Sequence, residues 1–141
     1  MPITPVSVPC INRAALKILI VDDSSVSRTN IRSVLKSLGF TNFVEVSDGA
    51  QAIAMAASQT FHLIVTDYNL TQMDGLGLVN HFRQAPGPIS VPILMVTAET
   101  EPIVLDAARN LGVAEIFGKD FAVDRVRPAI DKLFEPSATD T

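Results

Sequence analysis

The chain has 141 residues, of which 48% are hydrophobic and 18% charged, and its formal net charge is −4. This composition predicts one domain with a well-buried core, and the scattered basic residues argue against nucleic-acid binding. The single cysteine, Cys10, excludes an internal disulfide and a cysteine-rich metal site, and no apolar run is long enough for a membrane helix. We therefore expect a cytoplasmic protein that binds neither nucleic acid nor membrane.

Short apolar runs recur along the chain between two ends of different composition. Residues 1–15, rich in Pro, Ser and Thr, are expected to form a flexible N-terminal extension, and residues 136–141 a flexible C-terminal tail, with the folded domain at 16–135. Within the domain, five apolar runs predict strands at residues 17–21, 42–46, 61–66, 91–96 and 113–117. The first, third and fourth runs lack polar alternation, which is typical of parallel strands covered on both faces.

Helical periodicity occupies the interval after each strand. The first pattern places apolar residues at helical spacing up to Leu38, with Gly39 as the residue after the helix. Similar patterns predict helices around residues 52–57, 78–82, 103–111 and 123–134. Thr100 is the expected N-cap of the fourth helix, and Pro128 requires the fifth to begin near Asp124, with the proline in or near the first turn. Five successive β-α units predict an α/β fold with helices on both faces of a parallel sheet.

Polar side chains follow four of the predicted strands. Asp22 and Asp23 follow the first strand, Asp67 the third, Thr97 the fourth and Lys119 the fifth. Because the carboxyl ends of parallel strands lie at one edge, where ligands bind in such sheets, we expect these groups to converge. A divalent cation would relieve the repulsion among three carboxylates, and oxygen ligands with room for water suit Mg²⁺. That cation would also orient a phosphoryl group for attack by a carboxylate, and Asp67, on a central strand, is the natural nucleophile.

Each of these residues also has an ordinary structural interpretation. The acidic pair suits a turn and helix cap, and Asp67 suits a loop that continues to Asp74 and Gly75. Thr97 suits a strand-end hydroxyl, and Lys119 a solvated lysine. Taken singly, the structural interpretation is the commoner one, but four strand ends that supply compatible side chains favour a site.

Four segments carry a family resemblance: residues 19–24, 65–75 and 92–99, and Lys119 with Phe121. In that order, they resemble the acidic pair, the phosphorylation loop, the strand with the switch hydroxyl and the terminal lysine segment of the receiver domains of bacterial response regulators. Among these receiver domains, the chain resembles the stand-alone CheY-like type. The resemblance covers roughly residues 16–134. It implies a doubly wound, flavodoxin/CheY-like (βα)5 fold with a five-stranded parallel sheet and five helices.

The resemblance also implies roles for individual residues. Asp67 would accept a phosphoryl group from a sensor histidine kinase or a histidine-phosphotransfer protein, and Thr97 and Lys119 would contact that group. Mg²⁺ would be held by the carboxylates of Asp22, Asp23 and Asp67 and by the backbone carbonyl of Asn69. Asn69 and Glu99 match positions that tune autodephosphorylation, and Ala98 matches a position that is small for access.

Three residues depart from the family pattern. Asp120 follows the lysine where the family usually has a proline in a cis peptide, and the cost of a non-proline cis bond, about 2.5–4 kcal/mol, favours a trans peptide after Lys119. Ile116 occupies the position of an aromatic switch and cannot carry a rotation with a polar tip. Thr71 replaces a proline often found in the phosphorylation loop, which should leave that loop less rigid.

The resemblance therefore implies a phosphorylation-controlled binding module that catalyses only its own phosphorylation and dephosphorylation. Partner binding would switch through the face formed by the fourth helix, fifth strand and fifth helix, and the partner could be a flagellar motor or chemotaxis component. One alternative is a constitutive interaction module, a degenerate receiver, which Asp120 and Ile116 favour. Another is an aspartyl-phosphate hydrolase, which would need a carboxylate where this chain has Asn69.

Overall fold

Five β-α units follow one another in the computed structural model, which describes residues 12–70, 73–84, 91–98, 101–119 and 121–134. The strands are β1 (Lys17–Val21), β2 (Asn42–Val46), β3 (Leu63–Asp67), β4 (Ile93–Val96) and β5 (Glu115–Phe117). The helices are α1 (Ser25–Ser37), α2 (Gly49–Ser58), α3 (Gly75–Gln84), α4 (Pro102–Asn110) and α5 (Val123–Phe134). All strand pairs are parallel, in the order β2-β1-β3-β4-β5. The predicted doubly wound, CheY-like fold is therefore confirmed.

The sheet separates two apolar layers, because successive strand side chains point to opposite faces. On β1, Ile18 and Ile20 join the layer that contains buried residues of α1 and α5. Their neighbours Leu19 and Val21 join the layer beneath α2, α3 and α4. Burial on both faces accounts for the absence of polar alternation in the strand sequences. In the described ranges, no helix is both long enough and apolar enough to cross a membrane.

The element ends agree with the sequence in part. Gly39 and Gly112 adopt positive φ angles of 107° and 89° after α1 and α4, as expected for residues that close helices. The prediction of Thr100 as N-cap is wrong: Glu101 holds that position, because Pro102 begins α4 and a proline is favoured in the first turn. Helix α5 begins at Val123, which places Pro128 in its second turn.

Three strands begin two residues later than their apolar runs. β3, β4 and β5 start at Leu63, Ile93 and Glu115, although the runs begin at Phe61, Val91 and Val113. Those first residues are buried in the core without belonging to a strand. The apolar residues of these runs therefore indicate burial in the core. Burial extends beyond the residues of each run that pair with a neighbouring strand.

A short 3-10 turn, Arg13–Ala15, precedes β1 within the segment expected to be flexible. Arg13 donates to the carbonyl of Leu38 (2.7 Å), pairs with Asp131 (2.8 Å) and lies over the ring of Phe40. The packed part of the chain thus begins before residue 16. The remaining residues of both predicted ends, 1–11 and 136–141, lie outside the described residues, as do Thr71, Glu99, Thr100 and Asp120.

Candidate functional site

Buried polar side chains concentrate at one edge of the sheet. In the described part of the chain, the buried polar and charged residues are Asp22, Thr66, Asp67 and Thr97. Asp22 directly follows β1, Thr66 and Asp67 end β3, and Thr97 directly follows β4. The register pairs Thr66 with Val21 and Asp67 with Val96, so these carboxyl ends are adjacent. Burying polar groups is costly unless they are partnered, so this edge is built around interactions among polar groups.

Three carboxylates meet at this edge. Oxygen atoms of Asp22, Asp23 and Asp67 all lie within 4.8 Å of one another. Asp22 and Asp67 are buried, whereas Asp23 is exposed at the mouth of an open cleft that the three residues line. Like charges at this separation repel, and a set of oxygen donors open to water on one side fits a hard divalent cation such as Mg²⁺. The predicted grouping of these carboxylates is therefore present.

Lys119 connects two of the carboxylates. Its Nζ lies 3.3 Å from Oδ2 of Asp22 and 3.1 Å from Oδ2 of Asp67, and its side chain is 39% exposed. Burial raises the pKa of the Asp67 carboxyl above its ordinary value, and the hydrogen bond and charge of Lys119 partly offset that effect. Lys119, which follows β5, thus lies beside the carboxylates, where it was expected. The Lys119–Asp120 peptide lies outside the described residues.

Asp22 is already held by donors from the first turn of α1. Its Oδ1 accepts from the Ser24 amide (2.9 Å) and its Oδ2 from the Ser27 hydroxyl (2.6 Å), while its backbone carbonyl accepts from Arg28. With Lys119, the Asp22 carboxylate meets three described donors, whereas the Asp67 carboxylate meets two, the Asn69 amide and Lys119, so Asp23 and Asp67 are better placed than Asp22 for direct contact with a cation. Ser27 was not among the predicted site residues. Its position could have indicated this role, because Ser27 carries a hydroxyl one turn beyond Ser24, the N-cap of α1. The Ser27 amide donates to the Ser24 side chain.

The loop after β3 is shaped by contacts close to Asp67. The Asn69 amide donates to Oδ1 of Asp67 at 3.2 Å, which brings the backbone of Asn69 beside the carboxylate. The Gly75 amide donates to the carbonyl of Tyr68 at 2.7 Å. A Cβ atom at position 75 would lie 2.5 Å from the Asp67 carbonyl oxygen and 2.8 Å from Tyr68 Cα. Gly75 is therefore required for the close approach of α3 to the loop after β3. The sequence pattern alone indicated only that Gly75 lies in a loop.

Thr97 and Ile116 lie on the side of the site toward β5. Thr97 is buried, and its amide donates to the carbonyl of Phe117 at 2.9 Å. Ile116 is half-buried and packs against the apolar layer beneath α4. Ala98 is exposed beyond the end of β4. The proposed switching and tuning roles of these residues, and of Glu99, stay predictions.

Comparisons with known proteins agree with this geometry. The family model of the response regulator receiver domain matches residues 18–131. The chain is 39% identical over 120 residues to "Chemotaxis protein CheY" of Pseudomonas aeruginosa, covering 85% of this chain and 97% of that protein. It is 36% identical over 120 residues to "Chemotaxis protein CheY-3" of Vibrio cholerae, covering 85% and 92%. The solved structure of chemotaxis response regulator CheY4 of Vibrio cholerae has a TM-score of 0.73 at 28% identity, covering 84% of this chain and 98% of that chain. This chain therefore belongs to the response regulator receiver domain family and is of the CheY-like type.

Proposed function

We propose that this chain accepts a phosphoryl group on Asp67 from a histidine kinase or histidine-phosphotransfer protein, in a Mg²⁺-dependent reaction. The observation that carries the proposal is the single ammonium of Lys119, 3.1 Å from Asp67, inside a cluster of three carboxylates. In the reaction an Asp67 oxygen forms a bond to phosphorus while the phosphorus–nitrogen bond of the phosphohistidine donor breaks. The freed imidazole takes up a proton.

Each residue of the cluster has a role that follows from its surroundings. Asp23, Asp67 and the backbone carbonyl of Asn69 would hold Mg²⁺ directly, and Asp22 through water, because in the described part of the chain the Asp22 carboxylate meets three donors and the Asp67 carboxylate two. The bound cation supplies charge neutralisation between the carboxylates and the incoming phosphoryl oxygens. Lys119 would move its ammonium from the carboxylates to a phosphoryl oxygen, and Thr97 would donate a hydrogen bond to another.

The output would be a change in partner binding. Contacts from Thr97 and Lys119 to the phosphoryl group would draw the segments after β4 and β5 inward, and so reshape the face formed by α4, β5 and α5. A downstream protein would then prefer one state of that face. Because the curated relatives are named as chemotaxis proteins, a chemotaxis or flagellar motor component is the partner class we propose. Catalysis would be limited to phosphorylation and dephosphorylation of the chain itself.

The test uses acetyl phosphate as donor and the intact mass of the protein as readout. With Mg²⁺, the mass should rise by one phosphoryl group, and chelation of the metal should prevent the rise. Asp67→Asn should abolish the gain. Asp74→Asn is the matched control, because Asp74 caps α3 through the Gly77 amide and asparagine caps equally well. A gain of equal size in Asp67→Asn would refute Asp67 as the acceptor.

A constitutive interaction module is the second candidate. Ile116 supports it, because this half-buried aliphatic side chain offers no polar group that could respond to Thr97. Under this alternative, the native chain gains no mass with acetyl phosphate and Mg²⁺. Partner capture would then be the same with and without a phosphoryl mimic, whereas the leading proposal requires capture to differ.

A further inference from the structure

Two anchored residues, Phe117 and Phe121, stand two positions before and two positions after Lys119. Before it, the carbonyl of Phe117 accepts from the Thr97 amide at 2.9 Å. After it, Phe121 is buried in the layer between α1 and α5, and its ring meets that of Phe117 edge to face, with centroids 5.4 Å apart and planes at 86°. These contacts anchor the chain two residues before and two residues after Lys119.

Asn30 on α1 supplies a polar contact to the same segment. Its Nδ2 donates to the carbonyl of Phe121 at 3.2 Å, and the residue lines the cleft together with the carboxylates and Lys119. Asn30 lies three positions after Ser27, and residues at that spacing are neighbours on one side of a helix. Helix α1 therefore contacts the carboxylate of the Asp22–Lys119 ion pair through Ser27, and the carbonyl of Phe121, two residues after the lysine, through Asn30.

We propose that Asn30 is a positioning residue that acts through Lys119. By fixing the Phe121 carbonyl, it would limit how far the lysine backbone can move from Asp22 and Asp67. A long, partly exposed lysine has many rotamers, so a fixed starting point raises the share of time its ammonium spends at the carboxylates. This inference rests on the proposed function for its effect on phosphoryl transfer, but its effect on cation binding does not.

Two effects of opposite sign follow from loss of the Asn30 amide. The ammonium would contact Asp67 less often, so phosphoryl transfer would slow. It would also compete less with a cation for the same carboxylates, so Mg²⁺ would bind more tightly. Each effect should be about five-fold, the factor that corresponds to the typical net contribution of one ordinary hydrogen bond.

The experiment compares Asn30→Ala with Thr29→Ala, its neighbour on α1, in the full chain; both residues are exposed. Each substitution is also combined with Lys119→Ala. Mg²⁺ alone is titrated while the fluorescence of Tyr68, the only tyrosine in a chain without tryptophan and adjacent to Asp67, is recorded. The initial rate of mass gain with acetyl phosphate is measured in parallel.

We expect Asn30→Ala to bind Mg²⁺ more tightly and to gain mass more slowly, with Thr29→Ala unchanged. In the Lys119→Ala background, Asn30→Ala should have no further effect on either quantity. The inference is overturned if Asn30→Ala matches the native chain in both measurements, or if its effects persist without Lys119. A native chain that gains no mass, but whose Mg²⁺ affinity still depends on Asn30 through Lys119, would refute the proposed function and support the positioning role.

Discussion

Gly75 offers a sharp test of the packing around the acceptor. The Cβ of a Gly75→Ala variant would meet two main-chain atoms, the Asp67 oxygen at 2.5 Å and Tyr68 Cα at 2.8 Å. No side-chain rotation relieves these contacts, so α3 or the loop after β3 must shift. Shifts of this kind cost about 1–3 kcal/mol. Weakening the bond from the Gly75 amide to Tyr68 adds about 1 kcal/mol.

The gain in helix propensity offsets little of that cost at the first position of α3, since alanine is favoured over glycine by about 1 kcal/mol only in a helix interior. We therefore expect Gly75→Ala to lower the free energy of unfolding by about 2–4 kcal/mol. Urea unfolding followed by far-ultraviolet circular dichroism measures this change. In the fraction that stays folded, displacement of the Asp67 backbone should also slow phosphoryl gain by about ten-fold or more.

Gly77 is the matched control, two residues further along α3. A Cβ there would meet the side chains of Met73 (3.1 Å) and Asp74 (3.4 Å), whereas at Gly75 the two nearest atoms belong to the main chain. Because methionine adapts readily, Gly77→Ala should change the free energy of unfolding by less than about 1 kcal/mol. Equal unfolding midpoints for Gly75→Ala and the native chain would refute the reasoning, and so would a larger loss in Gly77→Ala.

Three further predictions concern charged groups. Lys119→Ala should lower the free energy of unfolding by about 1–3 kcal/mol in metal-free buffer. The loss should be smaller than for a fully enclosed ion pair, because the lysine is 39% exposed. Mg²⁺ should restore the stability of the variant, and a loss that Mg²⁺ leaves unchanged would contradict this. Because burial raises the pKa of Asp67 in the folded state, the folded chain binds its proton more tightly than the unfolded chain. Stability from this group is therefore present at low pH and lost as pH rises through the raised pKa, so the advantage of Asp67→Asn over the native chain should grow with pH in metal-free unfolding curves; an advantage that shrinks would reverse the sign. Arg83→Met should cost about 2–4 kcal/mol, since its guanidinium donates to carbonyls of Val91, Leu111 and Gly112, and an unchanged urea midpoint would contradict that role.

The predictable part of the site depends on one rule of sheet geometry. Once the apolar runs are recognised as parallel strands, the residues that follow them must share an edge. That rule brought Asp22, Asp67 and Lys119 together although they are far apart in sequence, and the structure places them within hydrogen-bonding or ion-pair distance. Strand hydrophobicity was less informative about ends: Phe61 and Val91 are buried before pairing begins, because the core extends past the sheet.

The contacts that hold the site could not be predicted in the same way. Ser27, Asn30 and Gly75 each act through a distance between a helix and a loop, and no periodicity encodes such a distance. Arg13 is similar, since its partners are 25 and 118 positions away in sequence. Residue type limited what these side chains could do, but only the packed chain determines which partner each one meets.

The charge of the site explains why Asp22 needs its own donors. Among the described residues of the site, three carboxylates exceed the one ammonium of Lys119 by two formal negative charges, which one Mg²⁺ ion would balance. In the proposed product the phosphoryl group carries about two negative charges in place of the one on the Asp67 carboxylate, so Lys119 is drawn toward it and away from Asp22. A fully buried carboxylate that lost its only partner would be strongly destabilised. Asp22 is protected from that loss because the Ser24 amide and the Ser27 hydroxyl remain on its oxygens. The α1 contacts therefore allow the lysine to change partners without leaving an unsatisfied charge in the core.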